Sequence, residues 1–220
     1  MQIDKKISKS KEGKMMGISV IAIERLPKYL RILKKLKDEN IKNVSSTTIA
    51  NELRLNPIQV RKDLAYVSKT DGKPNIGFVV VDLIKDIEDY LGLNKSKDII
   101  VVGAGRLGQA LMNYSGFEND VNIVMAFDID ENKCDNKKIF SMSKIENLIT
   151  KKNIQIGIIT VPKEEAQKIC DLLVKNGIKV IWNFAPIHLN VPENIKIRNE
   201  DLSASLMMLL KELNREENKK

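Results

Sequence analysis

The chain of 220 residues is 43% apolar, which is enough to bury one large hydrophobic core or two modest ones. It contains no run of about 18 apolar residues and no secretory signal, so we expect a cytoplasmic protein that does not contact a membrane. Two cysteines, Cys134 and Cys170, without a CxxC pair or clustered histidines, predict neither a disulfide framework nor a metal site.

The formal net charge of +8 is concentrated in the first third of the chain. Residues 1–80 hold 17 Lys and Arg against 8 Asp and Glu, whereas residues 81–220 hold 20 against 21. Clustered basicity is typical of proteins that bind a polyanion, so we expect a nucleic-acid partner for the first third.

The first predicted element is an amphipathic helix within residues 19–40, with Pro27 near its start or at a kink. Its apolar residues recur at helical spacing among lysines: Tyr29, Leu30, Ile32, Leu33 and Leu36. A short helix follows through Leu53, capped by the hydroxyl of Ser45 or Ser46.

A third helix starts in "NPIQVRKDLAYVSK", where three start signals coincide. Asn56 is the predicted N-cap, Pro57 takes the first helical position, and Gln59 can reach back as in a capping box. Its predicted buried stripe comprises Val60, Leu64 and Val67. Two helices joined by a tight turn, the second with a basic outer face, are typical of a helix-turn-helix that enters a DNA major groove.

The next stretch, "KTDGKPNIGFVVVDL", combines turn residues with a β-branched run. This pattern predicts a hairpin, the wing of a winged helix, with Lys69 and Lys73 at its tip. The predicted contacts to base edges and phosphates are Ser46, Asn56, Gln59, Arg61, Lys62, Tyr66, Lys69 and Lys73. Lys or Arg suits guanine and Gln suits adenine, but the sequence does not sort these side chains between bases and phosphates.

Beyond a connecting helix and a polar linker, apolar β-rich runs alternate with helical segments from Asp98 onward. Strands buried on both faces produce continuous apolar runs, and their alternation with helices predicts parallel strands joined by crossover helices. We therefore expect a doubly wound α/β domain.

Gly103, Gly105 and Gly108 spell G-x-G-x-x-G between the first strand of that domain and its helix. The first glycine permits a tight turn, the second lets the backbone approach a pyrophosphate, and the third lets helix and strand pack closely. The helix N-terminus offers N–H groups to the phosphates. The loop therefore predicts a dinucleotide site.

Asp128 ends the second strand 20 residues after Gly108, where a carboxylate accepts hydrogen bonds from ribose hydroxyls and repels a 2′-phosphate. Asp130 adds to that repulsion, so NAD(H) is favoured over NADP(H). Open α/β sheets bind ligands at the carboxyl ends of their strands. On that ground we assign Thr160, Val161 and Pro162 to the cofactor, with Asn183 to Pro186 as a weaker candidate.

We do not expect an enzyme. Hydride transfer needs a group that moves the accompanying proton, and the single histidine, His188, lies in a loop. No Ser/His/Asp set, HExxH or GxSxG pattern occurs, and the chain after Asn190 is too short for a substrate domain. The alternatives are an NAD-dependent oxidoreductase and a DNA-binding regulator that senses another nucleotide ligand, such as coenzyme A.

The last segment, "NEDLSASLMMLLKELNREENKK", predicts a helix with a wide apolar face. That face comprises Leu202, Leu206, Leu209, Leu210 and Leu213, supplemented by Met207 and Met208. Such a helix packs either in the core of its own chain or against a second subunit. Because helix-turn-helix proteins normally bind symmetric sites as dimers, the second arrangement is favoured.

Together these motifs resemble the Rex family of bacterial redox-sensing transcriptional repressors. The resemblance covers nearly the whole chain and includes "RLPKYLRIL", "VSSTTIANEL", "QVRKDLAYV", "GAGRLGQAL" followed by "NYSGF", "AFDID", "TVP", "NFAP" and "EDLSASL". It implies a homodimer that represses genes of fermentation and anaerobic respiration by binding palindromic operators. It also implies that the repressor leaves DNA when NADH replaces NAD⁺.

The resemblance further implies roles for individual residues. Those that would hold the pyrophosphate are Gly103, Ala104, Gly105, Arg106, Leu107 and Gly108. In this family the C-terminal helix is swapped between subunits, so Tyr114 and the partner subunit's Asp201 and Leu202 would lie near the nicotinamide.

Two segments depart from the family pattern. The wing "KTDGKPNIGF" lacks the arginine and the closely spaced glycines that many relatives have, so we predict Lys73 as the residue that enters the minor groove. The segment "CDNKKIFSMSK" lacks the glycine pair usual before the third strand, which blurs the local strand register.

The predicted architecture is α/β, with a winged-helix DNA-binding domain at residues 1–80 and a connecting helix and linker at residues 81–97. A doubly wound, parallel-sheet Rossmann domain for NAD(H) follows at residues 98–199. A domain-swapped dimerisation helix with a charged tail occupies residues 200–220.

Overall fold

The structure, a computed structural model, describes residues 19–74, 76–93 and 97–217. The start of the predicted DNA-binding domain, most of the polar linker and the last residues of the charged tail lie outside these ranges. The chain divides into two units, residues 1–95 and 96–220, which we describe separately.

The first unit contains four helices and two short strands among its described residues. The helices are α1 (Val20–Asp38), α2 (Ser46–Leu53), α3 (Pro57–Val67) and α4 (Val80–Leu91), and the strands are β1 (Asn43–Val44) and β2 (Phe78–Val79). The two strands pair antiparallel, as the wing of a winged helix requires. This arrangement confirms the predicted fold class of the N-terminal part.

Hydroxyl and amide caps fix where these helices begin. The side chain of Ser45 accepts a hydrogen bond from the Thr48 N–H at 3.0 Å, and the side chain of Asn56 accepts one from the Ile58 N–H at 2.8 Å. Both caps were predicted, and the structure selects Ser45 over its neighbour. Pro27 lies inside α1.

The β-branched run that begins with the wing strand β2 forms less strand than its composition suggests. Only Phe78 and Val79 are extended, and Val80 already begins α4. Val80, Leu83 and Ile87 recur at helical spacing and are fully buried or nearly so in the core of the first unit. Burial of this stripe outweighs local β propensity, so the helix predicted as a connector packs into the core of the first unit.

The second unit is a six-stranded parallel sheet with helices. The strands are β3 (Lys97–Val102), β4 (Val121–Asp128), β5 (Ile139–Ser141), β6 (Ile156–Ile159), β7 (Val180–Asn183) and β8 (Lys196–Asn199), and the helices are α5 (Arg106–Met112), α6 (Ile145–Lys152), α7 (Lys163–Lys175) and α8 (Leu202–Glu217). Short 3₁₀ helices cover Ser115–Asp120, Glu131–Lys133 and Met142–Lys144.

The strand order is β5-β4-β3-β6-β7-β8, and every pair is parallel. The chain winds outward from β3 in one direction and then returns to β6 and winds in the other, so the order reverses between β3 and β6. Ligands of doubly wound sheets bind in the crevice at such a reversal. The predicted Rossmann fold is thus confirmed.

The edge strand β8 was not predicted as a strand. Lys196, Ile197, Arg198 and Asn199 carry no continuous apolar run, and none of them is fully buried. Its pairing with β7 places it in the sheet. A strand with a single partly buried apolar residue, here Ile197, leaves no strong sequence signal.

The helix α8 was predicted, but its surroundings are unlike those of the other helices. Every side chain from Asp201 to Arg215 is exposed. Leu202, Met207 and Met208 are 65%, 66% and 68% exposed. The structure therefore does not bury this apolar face in the core of its own chain. None of the helices in the described part of the chain is long and apolar enough to cross a bilayer.

Candidate nucleotide and DNA sites

The loop of residues 103–108, hereafter the glycine loop, follows β3 at the point where the strand order reverses. Gly103 has φ of +102°, and a side chain there would lie 2.8 Å from the Thr160 carbonyl oxygen. A Cβ on Gly108 would lie 1.9 Å from the Gly103 carbonyl oxygen. Both positions therefore require glycine, one for its backbone conformation and both for close packing.

Asp128 holds the glycine loop through its carboxylate. Its Oδ2 accepts a hydrogen bond from the Ala104 N–H at 2.7 Å, and its Oδ1 accepts one from the Asp130 N–H at 2.9 Å. The ammonium of Lys133 lies 3.3 Å from Oδ2. Asp128 is only 6% exposed, so its charge is compensated mainly by these donors.

Thr160 fastens the loop from the neighbouring strand end. Its hydroxyl lies within hydrogen-bond distance of two carbonyl oxygens, that of Gly103 at 2.7 Å and that of Val102 at 3.1 Å. The carboxyl ends of β3, β4 and β6 are thus tied together at the loop, which fixes the backbone before any ligand arrives.

A cavity of about 930 Å³, hereafter the nucleotide cavity, opens beside the loop. Six of the predicted cofactor residues line it: Gly103, Gly105, Asp128, Thr160, Val161 and Pro162. Ligand pockets typically measure roughly 300–1,000 Å³, so the cavity is large enough for a nucleotide.

Gly105 provides a test of whether this cavity fits a dinucleotide. A Cβ on Gly105 would meet no atom within 4 Å, so the fold itself does not require glycine there. Because Gly105 has no side chain, its bare backbone faces the cavity. This backbone lies at the N-terminus of α5, where N–H groups lack intrahelical acceptors. Bare backbone and free donors suit a pyrophosphate, so the residues present fit the predicted group.

Other predicted cofactor residues lie away from the cavity lining. Ala104 is buried against the α5 side of the sheet, while the side chains of Arg106 and Leu107 are exposed. The side chain of Asp130 accepts a hydrogen bond from the Asn132 N–H at 3.1 Å and so caps a 3₁₀ helix.

Tyr114 lies beyond the end of α5 and is 58% exposed. Its ring stands edge-on to Phe117 with centroids 4.9 Å apart, and Phe117 stands edge-on to Trp182 at 6.1 Å. Trp182 in turn packs against Phe184 at 4.6 Å. These four residues, hereafter the aromatic row, lie on the face of the sheet that α5 covers in part.

The other two predicted nicotinamide neighbours lie at the start of α8. The carboxylate of Asp201 accepts a hydrogen bond from the Ala204 N–H at 2.9 Å, and Leu202 is exposed. Neither residue lines the nucleotide cavity. Asn183 is fully buried, and its side-chain amide donates to the carbonyl oxygens of Ala185 and Ile187, so it organises its own loop.

Sequence reasoning missed several residues of the cavity wall. Lys133 was not predicted, although it comes five residues after Asp128 and its ammonium also lies 3.8 Å from Asp130. The face of α7 toward the cavity was missed as well: Glu165, Lys168, Ile169, Asp171, Leu172 and Lys175. The helical spacing of Glu165, Ile169 and Leu172 was the signal that could have revealed it.

Neither cysteine is arranged for chemistry. Partial burial, followed by the nearby charge of Asp128, raises the pKa of the Cys134 thiol, and burial raises the pKa of Cys170 to about 11. Both thiols therefore stay protonated, the less nucleophilic form. Within the described ranges, no three His, Cys, Asp or Glu side chains are grouped so that they could hold a metal ion.

Half of the predicted DNA-binding residues line a groove of about 630 Å³ between α3 and the wing. Four predicted residues line it: Ser46, Arg61, Lys62 and Lys73. Gly77 closes the wing beneath them with φ of +82°, and a Cβ there would lie 2.2 Å from the Val44 carbonyl oxygen. The groove thus carries cations from both the helix and the wing, together with the one carboxylate of Asp71 among its lining residues.

The remaining DNA candidates lie outside this groove. Gln59 is exposed on the first turn of α3, next to the cap residue Asn56. The ring of Tyr66 is half-buried and stands edge-on to Tyr90, with centroids 6.0 Å apart. The ammonium of Lys69 pairs with the carboxylates of Asp86 and Asp89.

One buried polar network of the first unit was also missed. Asp63, on α3, accepts hydrogen bonds from Arg25 and from the hydroxyl of Tyr29, both on α1. Burial, together with the hydrogen bond to Asp63, raises the pKa of Tyr29 to about 12. Arg25 and Asp63 lie 38 residues apart, beyond the reach of helical spacing rules.

Two family models match the chain. Residues 17–65 match the family described as "Putative DNA-binding protein N-terminus", and residues 94–187 match the "CoA binding domain" family. The first covers α1 to most of α3, and the second covers strands β3 to β7 with the glycine loop, but not β8.

Curated relatives match over nearly the full length. The "Redox-sensing transcriptional repressor Rex" of Treponema denticola is 42% identical over 193 residues, covering 86% of this chain and 91% of that protein. The protein of the same name from Clostridium acetobutylicum is 37% identical over 210 residues, covering 92% and 98%.

Solved structures agree with this similarity. The structure of RSP in complex with β-NAD⁺ and operator DNA is 36% identical and matches with a TM-score of 0.84, covering 92% of this chain and 95% of that chain. RSP in complex with β-NADH matches with a TM-score of 0.78 at 36% identity, covering 91% and 96%.

Proposed function

Because this chain belongs to the Rex family of redox-sensing transcriptional repressors, we propose that it binds operator DNA as a homodimer and leaves it when NADH replaces NAD⁺. The first unit contacts the DNA and the second binds the dinucleotide. The observation that carries the proposal is the glycine loop held on Asp128 in the same chain as a winged-helix unit.

The second unit holds the dinucleotide at the glycine loop. The pyrophosphate lies against the loop from Gly103 to Gly108, because bare backbone and the first-turn N–H groups of α5 favour an anion. The carboxylate of Asp128 accepts hydrogen bonds from the adenosine ribose and, with Asp130, disfavours a 2′-phosphate. Thr160, Val161 and Pro162 form the adjoining wall.

The redox state is sensed at Tyr114 and at the partner subunit's Asp201 and Leu202. Reduced nicotinamide is neutral and puckered, whereas oxidised nicotinamide is cationic and planar, so the two forms differ in the contacts they offer. A ligand shifts a conformational equilibrium only through its different affinities for the two states. A coupling free energy of about 2.8 kcal/mol changes DNA affinity roughly a hundredfold.

The homodimer is supported by apolar surface that the single chain leaves uncovered. The exposed side chains of α8 include five leucines and two methionines at 49–68% exposure. Trp182 and Phe184 of the aromatic row are only half-buried. A second copy that lays its α8 on apolar surface of this chain removes both areas from water, which favours exchange of the helix between subunits.

The first unit binds a palindromic operator through α3 and the wing. Arg61 and Lys62 lie on one wall of the groove and Lys73 on the other, and Gln59 faces solvent at the start of α3. Ser46, Asn56, Tyr66 and Lys69 complete the proposed contact set. Two such units in a dimer match the two half-sites of a palindrome.

The protein binds its dinucleotide without consuming it. The single histidine, His188, is exposed and does not line the nucleotide cavity. A regulator that acts on operator DNA works in the cytoplasm of a bacterium, where that DNA lies.

The decisive experiment is a fluorescence-anisotropy titration of a labelled palindromic operator, repeated with NADH, NAD⁺, NADPH or coenzyme A. We expect the protein to bind the operator both without a ligand and with NAD⁺. NADH should release it at concentrations where NADPH and coenzyme A have no effect. The absorbance of NADH should stay constant during incubation with the protein.

The other outcomes identify the alternatives. Release by coenzyme A in place of NADH identifies a regulator of another nucleotide. Steady loss of NADH absorbance with a carbonyl substrate, without DNA binding, identifies an oxidoreductase. A chain that binds no operator under any of these conditions is not a repressor of this kind.

A further inference from the structure

A buried network joins α3, the helix proposed to enter the major groove, to α1. Asp63 accepts two hydrogen bonds from the guanidinium of Arg25, at 2.8 and 3.0 Å, and one from the hydroxyl of Tyr29 at 2.7 Å. Arg25 Nε lies 3.1 Å from the same hydroxyl. Tyr29 is fully buried, and Asp63 is 4% exposed. The three side chains therefore form a closed set on the core side of α3.

This network does not serve DNA binding by direct contact. Arg25 is basic, but two nitrogens of its guanidinium already donate to the carboxylate of Asp63, and its side chain is only 13% exposed. The neighbouring Arg61 and Lys62 are exposed on the outer side of α3. The charges of the network thus compensate each other inside the unit and leave the outer cations for a polyanion.

Stability alone does not account for the network. The cost of removing two charges from water often equals or exceeds their mutual attraction, and apolar residues of similar volume hold helices together as well or better. The other buried residues of α3 are Val60, Leu64 and Val67, whose contacts are non-directional. A bidentate guanidinium–carboxylate pair, in contrast, fixes both oxygen positions.

We propose that Arg25, Tyr29 and Asp63 act as an orientation clamp, a set of positioning residues that holds α3 in the rotation its base contacts need. This inference rests on the proposed operator binding. Hydrogen bonds to base edges demand a defined geometry, whereas phosphate contacts by flexible lysines tolerate rotation. Loss of the clamp therefore lowers the affinity for operator more than the affinity for unrelated DNA.

The test is the triple variant Arg25→Met, Tyr29→Phe, Asp63→Leu in the full chain. It removes one cation and one anion, so the net charge and the phosphate-driven affinity for a scrambled duplex stay unchanged. We expect the ratio of operator affinity to scrambled-duplex affinity to fall at least tenfold. Circular dichroism should show a folded protein, and the NADH affinity should be that of the wild type.

The matched control is the double variant Lys34→Met, Glu88→Leu. It removes the ion pair at 3.2 Å between α1 and α4, is also neutral in net charge, and does not involve α3. The affinity ratio of this variant should equal that of the wild type. A fall as large as that of the triple variant would mean that any loss of an α1 ion pair suffices, and would overturn the clamp.

A folded triple variant with the wild-type affinity ratio also overturns the proposal. If the triple variant does not fold, Arg25→Lys decides instead, since it keeps the charge and loses the fork. The ratio should then fall several-fold, and an unchanged ratio overturns the clamp. A wild-type chain that binds no operator refutes the proposed function and the clamp together, whereas equal specificity in wild type and variants refutes only the clamp.

Discussion

Asp63 in the first unit and Asp128 in the second are both buried aspartates, and the two carboxylates differ in what surrounds them. Asp63 in the first unit is compensated by two side chains of another helix and is closed off from solvent. Asp128 in the second unit is compensated by two backbone N–H groups and by Lys133, and it lines the nucleotide cavity.

In the proposed function, this difference separates a structural role for Asp63 from a binding role for Asp128. The partners of Asp63 cannot leave without exposing a buried charge, so the network fixes one geometry. Asp128 keeps its backbone donors, and the partly exposed ammonium of Lys133 can be replaced by another donor. In the proposed function the same carboxylate therefore supports the loop and accepts the ligand. The role of a buried aspartate can thus be inferred only from the groups that contact its carboxylate.

The largest expected effect comes from a substitution in the glycine loop, beside the nucleotide cavity. Gly108→Ala places a Cβ 1.9 Å from the Gly103 carbonyl oxygen, so the loop or α5 must shift. We expect the affinity for NADH to fall at least about a hundredfold, close to 3 kcal/mol. Operator binding should persist and no longer respond to NADH, as measured by anisotropy.

The matched control for this variant is Gly105→Ala, whose Cβ meets no atom within 4 Å of the ligand-free protein. Its thermal unfolding should be unchanged, while its affinity for NADH falls, because the methyl group faces the cavity. Wild-type affinity in both variants would contradict the placement of the dinucleotide at this loop.

The next effect compares the two aspartates directly. Asp63→Asn leaves Arg25 without its ionic partner and should reduce the free energy of unfolding of the first unit by about 3 kcal/mol. Asp128→Asn keeps an oxygen that accepts a hydrogen bond and should cost about 1 kcal/mol in the second unit. Urea titration followed by circular dichroism measures both values.

NADH titration of the same two variants completes the comparison. We expect weaker NADH binding in Asp128→Asn but not in Asp63→Asn, because Asp128 lines the cavity and Asp63 does not. Equal losses of stability in the two variants would contradict the distinction between Asp63, enclosed in the core, and Asp128, which lines the cavity. Wild-type NADH affinity in Asp128→Asn would contradict it as well.

A smaller effect concerns Lys133, whose ammonium offsets the charges of Asp128 and Asp130. Lys133→Met removes the ammonium beside two carboxylates at the proposed ribose site and should weaken the residual affinity for NADPH relative to NADH. Because the side chain is 40% exposed, we expect a change in this preference of only about 0.2–1 kcal/mol, or roughly 1.4- to 5-fold. Competition of NADPH with bound NADH measures it, and a rise in relative NADPH affinity would contradict it.

The smallest effect is expected from ionisation of Tyr29, which changes the stability of the protein only at alkaline pH. The pKa of Tyr29 is raised from 10.0 to about 12 by burial and by its hydrogen bond to Asp63. A raised pKa in the folded state gives stability that is fully present below pH 10 and is lost as the pH rises toward 12. Thermal unfolding above pH 10 should therefore show a steeper loss in wild type than in Tyr29→Phe. Parallel curves would mean that another group causes the alkaline loss.

Local patterns predicted those features that depend on neighbours in sequence. The caps at Ser45 and Asn56 and the buried stripe of α3 follow from groups within one or two helical turns. The glycine loop was also predictable, because a strand, a turn and a helix lie in succession. The predicted wing strand β2 is shorter than the β-branched run suggests, since burial of the α4 stripe decided the conformation of Val80.

The sequence by itself determined the order of the elements, the position of the glycine loop and the concentration of positive charge in the first unit. Only the tertiary structure decided which partners meet across long separations. Arg25 reaches Asp63 over 38 residues and Thr160 reaches Gly103 over 57. Hydrogen bonds of this kind depend on how helices and strands pack, and packing is a property of the whole core that no short sequence window contains.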